Sequence, residues 1–260
     1  MTSPVEALGH RAQGVAEHFG ELSLLSWQTL RAGLRQRLPW GEILRALDEI
    51  GVRSFSLVTL TALFTGLVLA LQTGIGLQRF GSSEYTGYIV SLAIVRELGP
   101  VLTALIVGGR VAGGMAAELG SMAVTEQVDA IRAMGADPVR KLVMPRVIAC
   151  VVTLPMLAIV ADVLGLLGSA IIAKAQFGIQ PHYFLETIRQ SVLASDVISG
   201  ITQTFFFGFA IAIVACREGL STRGGTVGVG QSTTRAVVFS SIAVLILNFF
   251  LTKLFLVLPN

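Results

Sequence analysis

Histidine and cysteine are nearly absent from this 260-residue chain, with three and two copies, and charged residues make up only 13% of it, about half the share of an average soluble domain. His10, His18 and His182 all lie outside the long apolar stretches, and Asp162 is the one aspartate inside a stretch. Zinc-protease, aspartyl-dyad and Ser-His chemistry within a membrane therefore lack their parts. The chain is expected to be no enzyme, with no catalytic residue, no metal and no cofactor of its own. Cys150 and Cys216 both sit in apolar runs, which argues against a disulfide framework. The 19 Lys and Arg are spread singly, so no basic run with interleaved aromatics exists to grip a nucleic acid. The first 50 residues contain no apolar run followed by a small-residue cleavage site, and the N-terminus is expected to stay in the mature protein.

Apolar length is what the chain has. Hydrophobic residues are 53% of it and 28 glycines lie among them, the mixture typical of membrane helices. A bilayer core of about 30 Å needs about 20 apolar residues in helix, and five stretches qualify: 54–78, 85–109, 147–173, 197–216 and 236–256. The first is free of charge between Arg53 and Arg79, the second is interrupted by Arg96-Glu97, and the third carries Asp162. The pattern predicts an all-α polytopic membrane protein, with residues 1–50 as a cytoplasmic or interfacial region and 51–260 as the membrane domain. Cytoplasmic flanks are enriched in Lys and Arg. The N-terminal region and the second and fourth connections together carry 14 of these residues, against four on the other side, with Arg96 inside a span. That bias places the N-terminus in the cytoplasm and, with five spans, the C-terminus outside it.

Before the first span Leu8, Ala12, Val15, Phe19, Leu22, Leu25 and Leu30 recur at three- and four-residue steps. They predict an amphipathic helix lying in the membrane interface and ended by Pro39-Trp40.

Arg96-Glu-Leu-Gly-Pro100 is the most informative short motif. A charge at mid-span costs about 2.5–3.5 kcal/mol on insertion scales and normally faces a cavity or a partner. Neighbouring residues point about 100° apart on a helix, so Arg96 and Glu97 are expected to find separate partners. Pro100 lacks an N–H and crowds the residue four positions back, which predicts a kink at Gly99-Pro100 and a polar pocket beside it. Asp162 is left open between pairing, protonation and a misplaced span end. Gly109, Gly113 and Ala117 form a stripe of small residues expected to be a helix-packing seam.

The second connection holds a predicted short helix, 125–137, with Thr125 as its cap and Gly135 as its stop. Its edge of Val128, Ile131 and Met134 is expected to seat in a partner's groove. The run from Gly225 to Ser232 has phosphate-loop spacing, but Gln231 stands where the lysine must be. It follows an apolar span rather than a strand and reads as a tight cytoplasmic turn. Any ATPase must then be another chain.

The stretch Asp129-Ala-Ile-Arg-Ala-Met-Gly135 followed by Val143-Met-Pro145 looks like the coupling loop of ABC permeases. With Arg96-Glu-Leu-Gly-Pro100, Ala117-Glu-Leu-Gly120, Thr125-Glu-Gln127, Met134-Gly-Ala-Asp-Pro138 and Gly224 to Arg235, it closely resembles the MlaE/YrbE permease family of MCE-type lipid transporters over about residues 50–258. The resemblance implies an inner-membrane homodimer whose partners are a cytoplasmic ABC ATPase that uses ATP and Mg, a periplasmic MCE-domain protein and, in several members, a STAS-domain protein. It implies phospholipid as substrate and a role in outer-membrane lipid asymmetry. It also implies that Arg96, Glu97, Leu69 and Phe80 contact lipid and that Glu126, Asp129, Ile131, Arg132, Met134 and Gly135 couple to the ATPase. The alternative is an ion-coupled secondary transporter of an amphiphile, relaying through Arg96, Glu97 and Asp162. An odd span count and the lack of an inverted repeat weigh against it.

Overall fold

Charge-free apolar runs leave the backbone no water to bond, so in lipid they must close their hydrogen bonds within themselves, and here they do so as helix. The computed structural model describes residues 20–32 and 39–257, without the side chain of Leu256. Its helices are α1 (20–32), α2 (Trp40–Leu47), α3 (Arg53–Gln78), α4 (Thr86–Ala93), α5 (Gly99–Val124), α6 (Gln127–Ala133), α7 (Met144–Phe177), α8 (Pro181–Ser191), α9 (Ala194–Leu220) and α10 (Gly225–Val257). There is no strand among the described residues. Three π-helical turns, Asp48–Val52, Ile94–Leu98 and Val139–Val143, join α2 to α3, α4 to α5 and lead into α7. Five stretches are long and apolar enough to cross a membrane: Trp40–Gln78, Ser83–Val124, Val139–Phe177, Ala194–Leu220 and Gly225–Phe255. The chain is an all-α polytopic membrane protein. Every stretch overruns its charge-free core, because helical bonding continues past the apolar limit where water can serve the side chains.

Small residues decide the packing, since between helices in lipid close approach replaces the hydrophobic drive. Midway along α3, a Cβ on Gly66 would overlap the Gly165 carbonyl of α7. A Cβ on Gly208 of α9 would come to 2.7 Å from the Cys150 carbonyl of α7, and one on Gly219 to 3.2 Å from the Ala116 backbone of α5. Gly113 belongs to the expected seam and meets Val237 and Thr233 of α10, but Gly109 faces open space. The main core gathers Val107, Leu119, Val143, Leu154, Phe207 and Ile211 from α5, α7, α9 and the last π-turn.

Three sequence expectations change. The Gly225–Ser232 run is not a turn: Gly224 and Gly225, both at positive φ, make the turn, and α10 starts at Gly225. The reason is that the run is anchored at its far end: Ser232, fully buried, accepts from Thr222 Oγ1 at 2.8 Å. The coupling helix is shorter than 125–137, spanning Gln127–Ala133. Thr125 does not cap it, because its hydroxyl donates back to the Ser121 carbonyl of α5 at 2.8 Å, and Glu126 at φ 58° starts the new helix. Gly135 does stop it, at φ 77°, with Ala136 N–H returning to the Ile131 carbonyl at 3.1 Å.

The first half of the N-terminal amphipathic helix lies outside the described residues. Residues 20–32 are helical; Leu22 and Leu25 pack on the main core, Leu24, Trp27 and Leu30 are exposed, and Glu21 pairs with Arg217 of α9 at 2.7 Å. Pro39 precedes a second amphipathic helix, α2, whose Trp40 and Leu44 are exposed and whose Ile43 is buried.

Candidate functional site

Pro100 cannot donate a backbone bond, and the helix takes up that deficit by widening rather than by simply kinking. Ile94–Leu98 forms the π-turn, and Gly99 N–H bonds to the Ile94 carbonyl five residues back. Pro100 then occupies the first turn of α5, where a missing N–H costs least. Arg96 and Glu97 ride on this turn and diverge to different helices.

Arg96 Nε donates to Asp196 Oδ1 at 2.8 Å. Asp196 stands in the first turn of α9, and its other oxygen accepts from Leu193 N–H at 3.0 Å. One carboxylate thus ties off the start of α9 and orients the guanidinium. The Asp196 side chain is 7% exposed and that of Arg96 is 43% exposed, so the cation keeps an open side. Glu97 turns to α10, where Oε2 accepts from Asn248 Nδ2 at 3.1 Å and Oε1 from Thr252 Oγ1 at 2.9 Å. Asn248 and Thr252 are one helical turn apart and present both donors on one face.

The site lies at mid-bundle. Gly66 is the midpoint of the charge-free part of α3, its partner Gly165 is one turn from Asp162, and Asp162 Oδ1 abuts Gly99 so closely that no Cβ would fit there. Asp162 Oδ1 is buried with no hydrogen-bond partner among the described residues. Gly200 brings α9 to 2.6 Å from the Val95 carbonyl, measured from a Cβ built on it. The short helices α4 and α8 cover the half of the bundle beyond the charges, joined by Ser91 Oγ and Ser191 Oγ at 2.9 Å.

Of the other residues expected to contact lipid, Leu69 is half-buried on α3 against the cluster of Ala70, Val90 and Ile94, beside the charged turn. Phe80 follows α3 and is 82% exposed; no hydrogen bond or cluster among the described residues links it to Arg96 or Glu97. The cavity beside the kink is small and apolar, about 20 Å³ and lined by Gly66, Ile94, Leu98, Gly99 and Gly165; the expected polar contacts, Arg96 and Glu97, do not line it, and Arg96 keeps its open side exposed. Sequence reasoning missed Asp196, Asn248 and Thr252. Their signal was faint: an acid three residues after Leu193, and one amide in an otherwise apolar span.

At the other end of the bundle, α6 presents Asp129 and Arg132, exposed and paired at 2.8 Å. Its apolar edge is divided. Val128 and Ile131 are buried in the chain's own core, and Met134 alone stays out, 73% exposed. The edge expected to fill a partner's groove is therefore used mainly to fasten α6 to its own chain, because a seven-residue helix has too few internal bonds to hold itself. Glu126, Asp129, Arg132 and Met134 form the outward face.

Residues 43–254 match the protein family described as Permease MlaE. The chain is 39% identical over 249 residues to a probable ABC transporter permease protein of Rickettsia conorii, covering 96% of each chain. It is 32% identical over 251 residues to the intermembrane phospholipid transport system permease protein MlaE of Haemophilus influenzae, again covering 96% of each. It is also 34% identical over 232 residues to the chloroplastic TRIGALACTOSYLDIACYLGLYCEROL 1 protein of Arabidopsis thaliana, covering 89% of this chain and 66% of that one.

Proposed function

The chain belongs to the permease MlaE family, and from that premise we propose that it is the membrane subunit of an ATP-driven phospholipid transporter in a bacterial inner membrane. Two copies enclose a cavity walled by apolar helix faces, with Arg96 and Glu97 as its polar contacts and Leu69 and Phe80 in its apolar part. A cytoplasmic ATPase seats on the outward face of α6, a periplasmic MCE-domain protein receives or delivers the lipid, and a STAS-domain protein binds the ATPase. The N-terminus lies in the cytoplasm and the C-terminus in the periplasm. Exchange of lipid across this route supports outer-membrane asymmetry.

The observation that carries this reading is the mid-bundle charge arrangement. A guanidinium 43% exposed, oriented by a buried carboxylate, leaves donors free for a phosphate group. Glu97, held by two α10 donors, keeps a negative charge nearby that suits an amphiphile with a polar head and apolar tails. Closure of the ATPases would drive the two α6 helices together and, through Val128 and Ile131, move the core rather than only the loop.

Mass spectrometry of proteins and lipids that co-purify with the tagged full-length chain from its own membranes tests the assembly. An ATPase, an MCE-domain protein and phospholipid in fixed ratio are expected. A homo-oligomer without ATPase would overturn the reading and turn attention to ion coupling through Asp162. A second expectation concerns α6: Asp129→Arg should cut lipid-stimulated ATP hydrolysis at least about fivefold, through like-charge contact with Arg132 and loss of the outward acid. Full stimulation would remove α6 from the ATPase interface.

A further inference from the structure

At the α6 end of the bundle, far from the charged π-turn, a cavity of about 440 Å³ opens between α2, α5 and the Val139–Val143 turn. Ile50, Val111, Met115 and Leu142 make its apolar floor. Its depth is set by one contact: Arg110 Nη1 donates to Ser54 Oγ at 2.8 Å and to the Glu49 carbonyl at 3.1 Å. Ser54 is where the charge-free run of α3 begins, so the cavity lies at the level where lipid headgroups meet the apolar core. The same helical stretch exposes Trp40, Leu44 and Val52, apolar surface that belongs in lipid.

The charges lining the cavity do not balance. Arg146 and Glu118 satisfy each other at 2.6 Å. Arg110 has only neutral partners, and the exposed side chains of Arg45 and Lys141 have no partner among the described residues. Against these three cations stand Glu42 and Glu49, leaving one positive charge in excess. Glu42 Oε2 is also buried and has no donor among the described residues. A ligand that closes this account carries one negative charge, several acceptor oxygens and at least one donor. We propose that the cavity binds the headgroup of an anionic phospholipid from the adjoining leaflet, its phosphodiester on Arg45, Arg110 and Lys141 and a headgroup hydroxyl donating to Glu42. This is a second lipid site, separate from Arg96 and Glu97, and it needs only the surrounding membrane, neither ATPase nor transport.

The test is native mass spectrometry of the full chain in detergent, without ATPase, titrated with phosphatidylglycerol and with phosphatidylcholine of the same acyl chains. Wild type is expected to retain phosphatidylglycerol about tenfold more strongly, and Arg45→Ala/Lys141→Ala to lose that preference. Both residues are exposed and have no partner among the described residues, so folding should survive; single Lys141→Ala gives an independent, smaller loss. Arg79→Ala/Lys174→Ala, which removes two charges elsewhere, should keep the preference. Equal retention by wild type and the Arg45/Lys141 variant overturns the proposal, as does an equal loss in the Arg79/Lys174 variant. Tight binding of soluble glycerol 1-phosphate alone would also overturn it, by making the site one for a free phosphate ester. Failure here leaves the transport reading intact, since no step of transport is measured.

Discussion

Glu97→Ala is expected to lower phospholipid transport at least tenfold in liposomes containing the assembled complex, with the protein still folded. Losing the carboxylate leaves Asn248 Nδ2 and Thr252 Oγ1 without their acceptor, which costs about 1–2 kcal/mol and loosens α10 against the turn. Glu97→Gln separates structure from charge. It keeps an acceptor for one donor, so wild-type transport by Gln would mean that Glu97 only holds α10, and continued loss would mean that the charge meets the lipid. Arg96 requires a different design. Arg96→Ala strands Asp196, whose side chain is 7% exposed. A stranded acid destabilises by about 1–3 kcal/mol once the exposure of Arg96 is discounted. Arg96→Ala with Asp196→Asn removes both charges and is expected to restore stability but not transport. Transport at the wild-type rate by both Glu97→Ala and the Arg96/Asp196 pair would sink the cavity assignment.

Gly66→Leu is expected to have the largest effect on stability. The side chain would be driven into the Gly165 carbonyl, and a backbone atom has no rotamer to move out of the way. Overpacking of this kind costs about 3 kcal/mol or more, and in lipid no hydrophobic drive between helices offsets it. Size-exclusion profiles and thermal midpoints should show α3 detached or the protein aggregated. Gly76→Leu on the same helix, where an added Cβ meets nothing within 4 Å, is the control and should behave as wild type. If Gly66→Leu were equally stable, the α3–α7 seam would not be the contact that holds the first span.

Particular elements show how much was legible in advance. The five spans were readable because each is an apolar run long enough to need helical bonding throughout. The Gly135 stop was readable because a local φ above zero favours glycine. The Thr125 cap was misread: a hydroxyl can bond forward into the next helix or back into the last one, and α5 offered the Ser121 carbonyl first. Gly225 to Ser232 was misread as a turn because helix propensity there is low, and only burial of Ser232 against Thr222 supplies what propensity lacks. The edge of α6 was read correctly as apolar, but an apolar edge does not say whose core it enters.

Composition, charge bias and motif spacing by themselves determined that this chain is an all-α membrane protein with five helices long and apolar enough to span, and that Arg96-Glu-Leu-Gly-Pro100 is its costly element. These follow from solvation, which acts on each residue wherever it sits. Tertiary structure alone decided which groups those charges meet: Asp196 lies 100 residues from Arg96, and Asn248 and Thr252 lie 151 and 155 from Glu97. It also decided that Asp162 faces Gly99 and that the charges around Arg110 form a cavity. Such pairings depend on the register of helices packed glycine against backbone, and that register is a sum of many close contacts no local pattern encodes.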